Sequence, residues 1–308
     1  MYNMAEVIPN GLDIFKGQDT TSTNDIIPIE FNDKVYKTSL GKSPFLDFLR
    51  SKGVLKGSRS SKVTFPVKKV EDANRAKIAT NEDASDVTGA DVNWDDLPYI
   101  MATVAKRIKA TDLAIEGNTY IDPFKDDMED AYPDVLSAIE EQMIKNGATS
   151  VPNKMDNLNQ ATPTTATNIT TAVVDVAIDA ISQNSSVEAD FIVGSQTAIR
   201  QIINSDPEAT KVFNASETGN YVGRWSKAYD TPSGPVPLIV SKNFNARLGT
   251  PGPNGVLIGS SEAIGFKQLK NSYFKEVATN SFSREGLLGN FVAVGKLDAE
   301  AFKTIVNS

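Results

Sequence analysis

Six carboxylates crowd one stretch of this 308-residue chain: Asp122, Asp126, Asp127, Glu129, Asp130 and Asp134. Asp126 and Asp130 stand four residues apart, which puts them on one face of a helix, and a hard divalent cation takes several oxygen ligands. An enzyme built on carboxylates and a metal would need such a site. A plainer reading competes: acids in the first turns of a helix interact favourably with the positive end of its dipole. No second ligand segment of the D-x-D-x-D or H-E-x-x-H kind accompanies the cluster, which favours a solvated helix face. Ser39-Leu-Gly-Lys42 matches S-x-x-K, where lysine would activate serine, but the companion S-D-N and K-T-G motifs are missing. Gly194-Ser195 lies between a strand pattern and a helix pattern, where backbone N–H groups can hold an anion. It lacks the glycines and lysine of a phosphate loop, and a simple turn accounts for it.

Composition narrows the chemistry further. The chain has neither cysteine nor histidine, which removes thiol and imidazole catalysis, Cys/His zinc sites and disulfides. The formal charge of −8, from 31 basic and 39 acidic residues, favours solubility and opposes nucleic-acid binding over the whole surface. No basic leader precedes an apolar run, and nothing approaches the roughly 20 apolar residues that span a bilayer. A cytoplasmic origin is expected, with no membrane partner. The Asn-x-Ser/Thr triplets at Asn168, Asn184 and Asn214 are then chance matches.

The elements that would position any site come next. The first two dozen residues, including GQDTTSTNDIIPIE, show no period and read as an arm or a disordered segment. Ser43 as N-cap, Pro44 at the first helical position, and Phe45, Leu46, Phe48 and Leu49 before Gly53 predict a short buried helix. From Gly53 to about Asp112, two strands flank a polar loop. Val63, Phe65 and Val67 alternate with polar residues, and Ile100, Ala102, Val104 and Ile108 supply the returning strand. The outgoing limb is basic (Lys56, Arg59, Lys62, Lys68, Lys69, Arg75, Lys77) and the tip acidic (Glu82, Asp83, Asp86, Asp91, Asp95, Asp96), while Pro66 indicates an edge strand. A lone hairpin is marginal in water, so this one should lie on its own body or on a neighbouring subunit. The basic limb offers only Phe65 as a stacking partner for nucleic acid, and an acidic protein surface suits it better.

DPFKDDMEDAYPDVLSAIEEQMIKNG carries an apolar stripe of Phe124, Met128, Tyr132, Val135, Ile139 and Met143. The phase continues past Pro133, so one long helix kinked there, or two nearly coaxial helices, is expected. A Thr/Asn/Pro-rich linker leads to a second body of α/β type. TTAVVDVAIDAISQN reads as a helix with a strand alternative, FIVGS as a buried strand, TAIRQIIN as a helix, and GPVPLIVS and GVLIGS as strands. In the closing SREGLLGNFVAVGKLDAEAFKTIV, Arg284-Glu285-Gly286 reads as a turn and Phe291 to Lys296 as a strand. The end is a strand or short helix anchored by Leu297, Phe302 and Ile305.

This order of parts resembles the major capsid proteins of tailed bacteriophages with the Hong Kong 97 type fold. The carriers are the polar arm before Phe31, the hairpin KVTFPVKKV to YIMATVAKRIKATDLAI, and DPFKDDMEDAYPDVLSAIEEQMIKNG. FIVGSQTAIRQIIN, VPLIVSKNF, GVLIGSSEAIGF and SREGLLGNFVAVGKLDAEAF follow in the family's order. The resemblance implies an α+β chain with an N-terminal arm and short helices (1–52), an extended β-hairpin loop (53–112), and a peripheral domain with a spine helix (113–165). An α/β axial domain (166–260) and a return through the peripheral domain (261–308) complete it. It implies a non-enzymatic shell subunit without cofactors, closing with copies of itself into pentamers and hexamers around double-stranded DNA. Lys62, Phe65, Lys68, Lys69, Arg75, Glu82, Asp83 and Asp86 are the expected contacts between subunits. A portal and a separate scaffolding protein are expected partners, since the arm is too short for a scaffolding segment. The virion, assembled in the host cytoplasm, is the expected location. Some relatives join a loop lysine to a neighbour's asparagine, but nothing here selects a lysine among Lys62, Lys68, Lys69 and Lys77. The alternative is an encapsulin-type compartment shell of the same fold.

Overall fold

The computed structural model describes residues 43–69, 93–117, 123–147, 149–206, 210–213, 226–245, 253–277 and 283–307. Its centre is a seven-stranded mixed sheet. The order is β5 (Thr164–Ala166), β13 (Phe302–Asn307), β10 (Gly255–Gly259), β6 (Phe191–Gly194), β9 (Gly234–Val240), β8 (Ser226–Thr231) and β7 (Thr210–Phe213). The period of two sorts its side chains onto two cores. Ile192, Leu238, Val256, Ile258 and Ile305 point towards α4 (Thr171–Asn184) and α5 (Gln196–Ser205). Phe191, Val193, Ile239, Leu257 and Phe302 point the other way, towards α1 (Pro44–Ser51) and α3 (Pro123–Ile144). Phe191 meets Phe45 and Phe48 with ring centroids 4.9 and 6.0 Å apart.

A second, four-stranded sheet runs β1 (Leu55–Gly57), β11 (Ile264–Val277), β12 (Ser283–Lys296) and β4 (Ala102–Thr111). Its inner face joins the same core through Ala102, Ile264, Phe266, Val292 and Val294. Further along, Ile108, Ala110 and Leu288 pack on Phe124 and Ala131 of α3. The short α2 (Asp112–Gly117) leads from β4 towards that helix.

Several expectations change in this light. The 53–112 segment is not one hairpin. Its ends, β1 and β4, belong to the four-stranded sheet, and the returning strand is β3 (Asn93–Ile100), which pairs antiparallel with β2 (Lys62–Lys69). Asp95 and Asp96, assigned to the acidic tip, lie in β3 opposite Val67 and Pro66. The alternation of Ala102 to Ile108 is genuine but serves a different sheet, because its partner β12 lies some 180 residues onward and leaves no local mark. Arg284-Glu285-Gly286 forms no turn; it lies inside β12, opposite Ala110, Lys109 and Ile108 of β4 in that order. The segment 261–308 also divides: β11 and β12 fill the four-stranded sheet, whereas β13 enters the seven-stranded one between β10 and β5. A strand inserted between two others must be apolar, and Phe302 and Ile305 are indeed buried, with Leu297 half-buried.

Pro133 sits inside α3, which continues unbroken over 22 residues, about 33 Å at 1.5 Å per residue. The stripe contains one error. Tyr132 is 45 % exposed and Ala131 takes the buried position, in the cluster with Ile108, Ala110 and Leu288 of the four-stranded sheet. The strands β7 and β8 carry polar sequences, TKVF and SKAYDT, and were unmarked by pattern for that reason. The arm and the hairpin tip, with Arg75, Glu82, Asp83 and Asp86, lie outside the described residues.

Candidate functional site

The hairpin of β2 and β3 forms a separate two-stranded sheet. Both strands are edges, which suits Pro66, as it has no N–H to give. One face of its base is apolar and buried: Val63, Phe65 and Tyr99 pack with Met101 and Ala293, and Leu97, Leu269, Phe291 and Leu297 flank them. Phe65 and Tyr99 meet edge to face at 5.4 Å. Two glycines of the four-stranded sheet make the seat. A Cβ on Gly265 would stand 2.7 Å from the Phe65 ring, and one on Gly295 3.1 Å from both rings. Phe65, expected at a contact between subunits, therefore spends its side chain within its own chain.

A polar clasp holds the same base. The Tyr99 hydroxyl donates to Asp156 Oδ2, which also accepts the Lys296 N–H at 3.0 Å. The Ile100 N–H donates to the Asn153 carbonyl at 2.7 Å, and Lys296 Nζ donates to the Asn159 carbonyl at 2.9 Å. Burial and then the neighbouring Asp156 carboxylate push the Tyr99 phenol well above its ordinary pKa. Tyr99→Phe removes one charge-assisted hydrogen bond and should cost about 1.5 kcal/mol of unfolding free energy, read by chemical denaturation.

Away from the base, cover is lost. Val67 and Leu97 are half-buried, whereas Lys68, Asp95 and Asp96 are exposed, as is Lys62 on the outward face. Of the expected contact residues, Lys62 and Lys68 share the outward face of β2; Lys69 is the last residue of that strand.

Asp122 of the acidic cluster lies outside the described residues. Among the described residues no group of three or more acidic side chains converges, and Asp134 instead pairs with Lys106 of β4 at 2.7 Å. A chelator is expected to leave the melting temperature unchanged, and a shift of several degrees on chelation would contradict this. Ser195 caps α5, accepting the Ala198 N–H at 3.3 Å, as a plain turn requires.

The comparisons with known proteins decide the family. A sequence model of the SU10 major capsid protein family matches residues 14–288. The chain belongs to that family. No curated protein matches this capsid protein in sequence. Its fold is shared with the capsid of Myoviridae phage XM1, at a TM-score of 0.60 and 12 % identity over 92 % of this chain and 99 % of that one. A chain of Mycobacterium phage Adephagia aligns at 0.58 and 10 % identity, covering 92 % and 95 %. The encapsulin of the holo-SrpI complex from Synechococcus elongatus aligns at 0.58 and 11 % identity, covering 95 % and 94 %. The fold is thus the mixed α+β fold of phage capsids and encapsulins, and the family is one of structural shell proteins of the virion.

One residue that organises this capsid protein carries no mark in the sequence. Glu140 on α3 is fully buried. Its Oε2 accepts the N–H groups of Phe45 and Leu46 at 2.8 and 2.9 Å; its Oε1 accepts the Ser241 hydroxyl at 2.5 Å and Asn243 Nδ2 at 2.9 Å. Asn243 is held in turn by the Ser137 hydroxyl at 2.9 Å. Glu140 thereby caps α1 from a distance of about 95 residues. Ser43, the expected N-cap, makes no side-chain cap bond. One carboxylate ties together α1, the spine of α3 and the turn after β9. Burial pushes its pKa up to about 7, against the four donors that pull it down.

Proposed function

We propose that this chain closes with copies of itself into hexamers and pentamers around double-stranded DNA. In this reading the hairpin is the extended loop, α3 is the spine of a peripheral domain together with the four-stranded sheet, and the seven-stranded body is the axial domain. The observation that carries the reading is the hairpin: a two-stranded sheet seated on its own body at one end and exposed at the other. Such an element is marginal by itself and gains stability by lying on a neighbour. Contacts of this kind are head-to-tail, the type that closes into rings. Modest contacts to several neighbours then add up to a stable shell.

A portal, a separate scaffolding protein and packaged DNA on the inner face are the further partners, and assembly takes place in the host cytoplasm. The family match favours a virus shell over a cellular compartment, while the encapsulin alignment supports the shared fold. Electron microscopy of the purified chain, alone and coexpressed with a scaffold, tests the reading. Rings or closed shells are expected, and nuclease-protected double-stranded DNA in particles from infected cells. Persistent monomers under both conditions would overturn it, and shells filled with a protein cargo would favour the compartment.

A further inference from the structure

Beside the seat of the hairpin, where β1 forms the edge of the four-stranded sheet, lies a cleft of about 300 Å³. Phe65 brings the hairpin to one wall; β1, β11 and Leu297 bring the body to the other. Lys56 of β1 and Lys267 of β11 both line it and are direct partners in the parallel pairing of these strands. Their side chains therefore rise from the same face of the sheet, on strands about 4.8 Å apart. Like charges in that position repel. Lys56 is exposed and Lys267 half-buried, and among the described residues neither ammonium group has an ion-pair or hydrogen-bond partner. Lys52, at the end of the cleft, is already engaged, with its Nζ 3.8 Å from Asp190 Oδ2. Glu262 lines the cleft as well and is exposed, yet it pairs with none of the three lysines.

Two cations held side by side without a counterion, next to an apolar wall, define the ligand they fit. We infer that this cleft is a binding site for an acidic segment of a separate protein, one that sets a carboxylate between Lys56 and Lys267 and an apolar side chain against Phe65 and Leu297. The carboxylate relieves the repulsion of the lysine pair, and the apolar contact excludes water from it. The volume is at the small end for ligand sites, which suits side chains better than a whole nucleotide. A nucleic acid would also find no stacking platform, because Phe65 spends its ring on Tyr99 and Gly265, and its phosphates would meet Glu262. Since one wall is hairpin and the other is body, an occupant joins the two and tightens the hairpin on its seat. Salt should weaken the contact, as the charges are near the surface.

Hydrogen exchange of the full chain, titrated with the peptide acetyl-Leu-Asp-Leu-Glu-Leu-amide, tests this. The same peptide with Asn and Gln in place of its acids, and inorganic phosphate, serve as controls. The acidic peptide is expected to slow exchange in β1, β2 and β3 in a saturable way, with the neutral peptide binding about tenfold more weakly. The double variant Lys56→Ala, Lys267→Ala changes two surface side chains and should keep the unfolding midpoint of the wild type while losing the preference for the acidic peptide. Equal binding of the two peptides by the wild type would overturn the inference, as would an undiminished preference in the double variant. Phosphate that protects the same amides as well as the peptide does would make the cleft a plain anion site and refute it. A change in the oligomeric state of the double variant without peptide would assign the cleft to a second copy, which refutes it too. Binding is read on the chain before assembly, so its failure leaves the shell reading intact.

Discussion

Glu140→Ala is expected to lower the unfolding free energy by roughly 4 kcal/mol, because each buried donor left without a partner costs roughly 1–3 kcal/mol. Four donors lose their acceptor at once: two N–H groups of α1, the Ser241 hydroxyl and the Asn243 amide. Glu140→Gln should cost less, about 1–2 kcal/mol. Its carbonyl oxygen can still serve Phe45 and Leu46, and the Ser241 hydroxyl can turn to accept the new N–H. Chemical denaturation of the three proteins checks the order, and equal stability of the alanine variant and wild type would refute it.

The pH dependence has a definite sign. Glu140 has a pKa of about 7 in the folded chain against an ordinary value of 4.5, so the folded state binds its proton more tightly than the unfolded state. The stability this contributes is fully present below pH 4.5 and is lost as the pH rises through 7. A shift of that size corresponds to roughly 3 kcal/mol. The glutamine variant has no proton to lose, so this part of the slope should vanish from it. Parallel profiles for wild type and glutamine variant between pH 4.5 and 8 would contradict the assignment.

Phe65→Ala is expected to cost about 3 kcal/mol, the usual range for emptying an aromatic site, and to do so mainly at the hairpin base. Phe65 is 7 % exposed and packs on Tyr99, Gly265 and Gly295, outside the large core that holds α1, α3 and both sheets. The body should therefore keep its cooperative unfolding while the amides of β2 and β3 lose protection from hydrogen exchange. Assembly should fail with them, because a hairpin without its seat cannot present its far end in a fixed direction. Gly265→Val should act the same way from below, since even its Cβ would meet the Phe65 ring at 2.7 Å. Normal shells from either variant, with normal hairpin protection, would show that the seat does not govern assembly.

Much of the fold could be read from periodicity. The α3 stripe, the short helix after Ser43, the buried runs of β6, β9 and β10, and the apolar end of the chain all follow from local pattern. A period of 3.6 or 2 records which side of an element faces a core. The missing thiols and imidazoles bounded the chemistry in the same direct way, and the order of the parts pointed to the capsid family.

Pattern does not record which core a face meets. Ala102 to Ile108 alternates as well as Val63 to Val67 does, yet only β3 pairs with β2, and β4 joins a strand some 180 residues later. The closing segment reads as apolar from end to end, but its two parts serve different sheets. Glu140 shows the limit most plainly. On the sequence it is one acid in a Glu-Glu pair on a charged helix; in the fold it is a buried acceptor because four donors from positions 45, 46, 241 and 243 converge on it. Hydrophobic patterning is a property of neighbouring residues and is written locally. Hydrogen-bond complementarity between distant segments exists only once the chain has brought them within about 3 Å of one another.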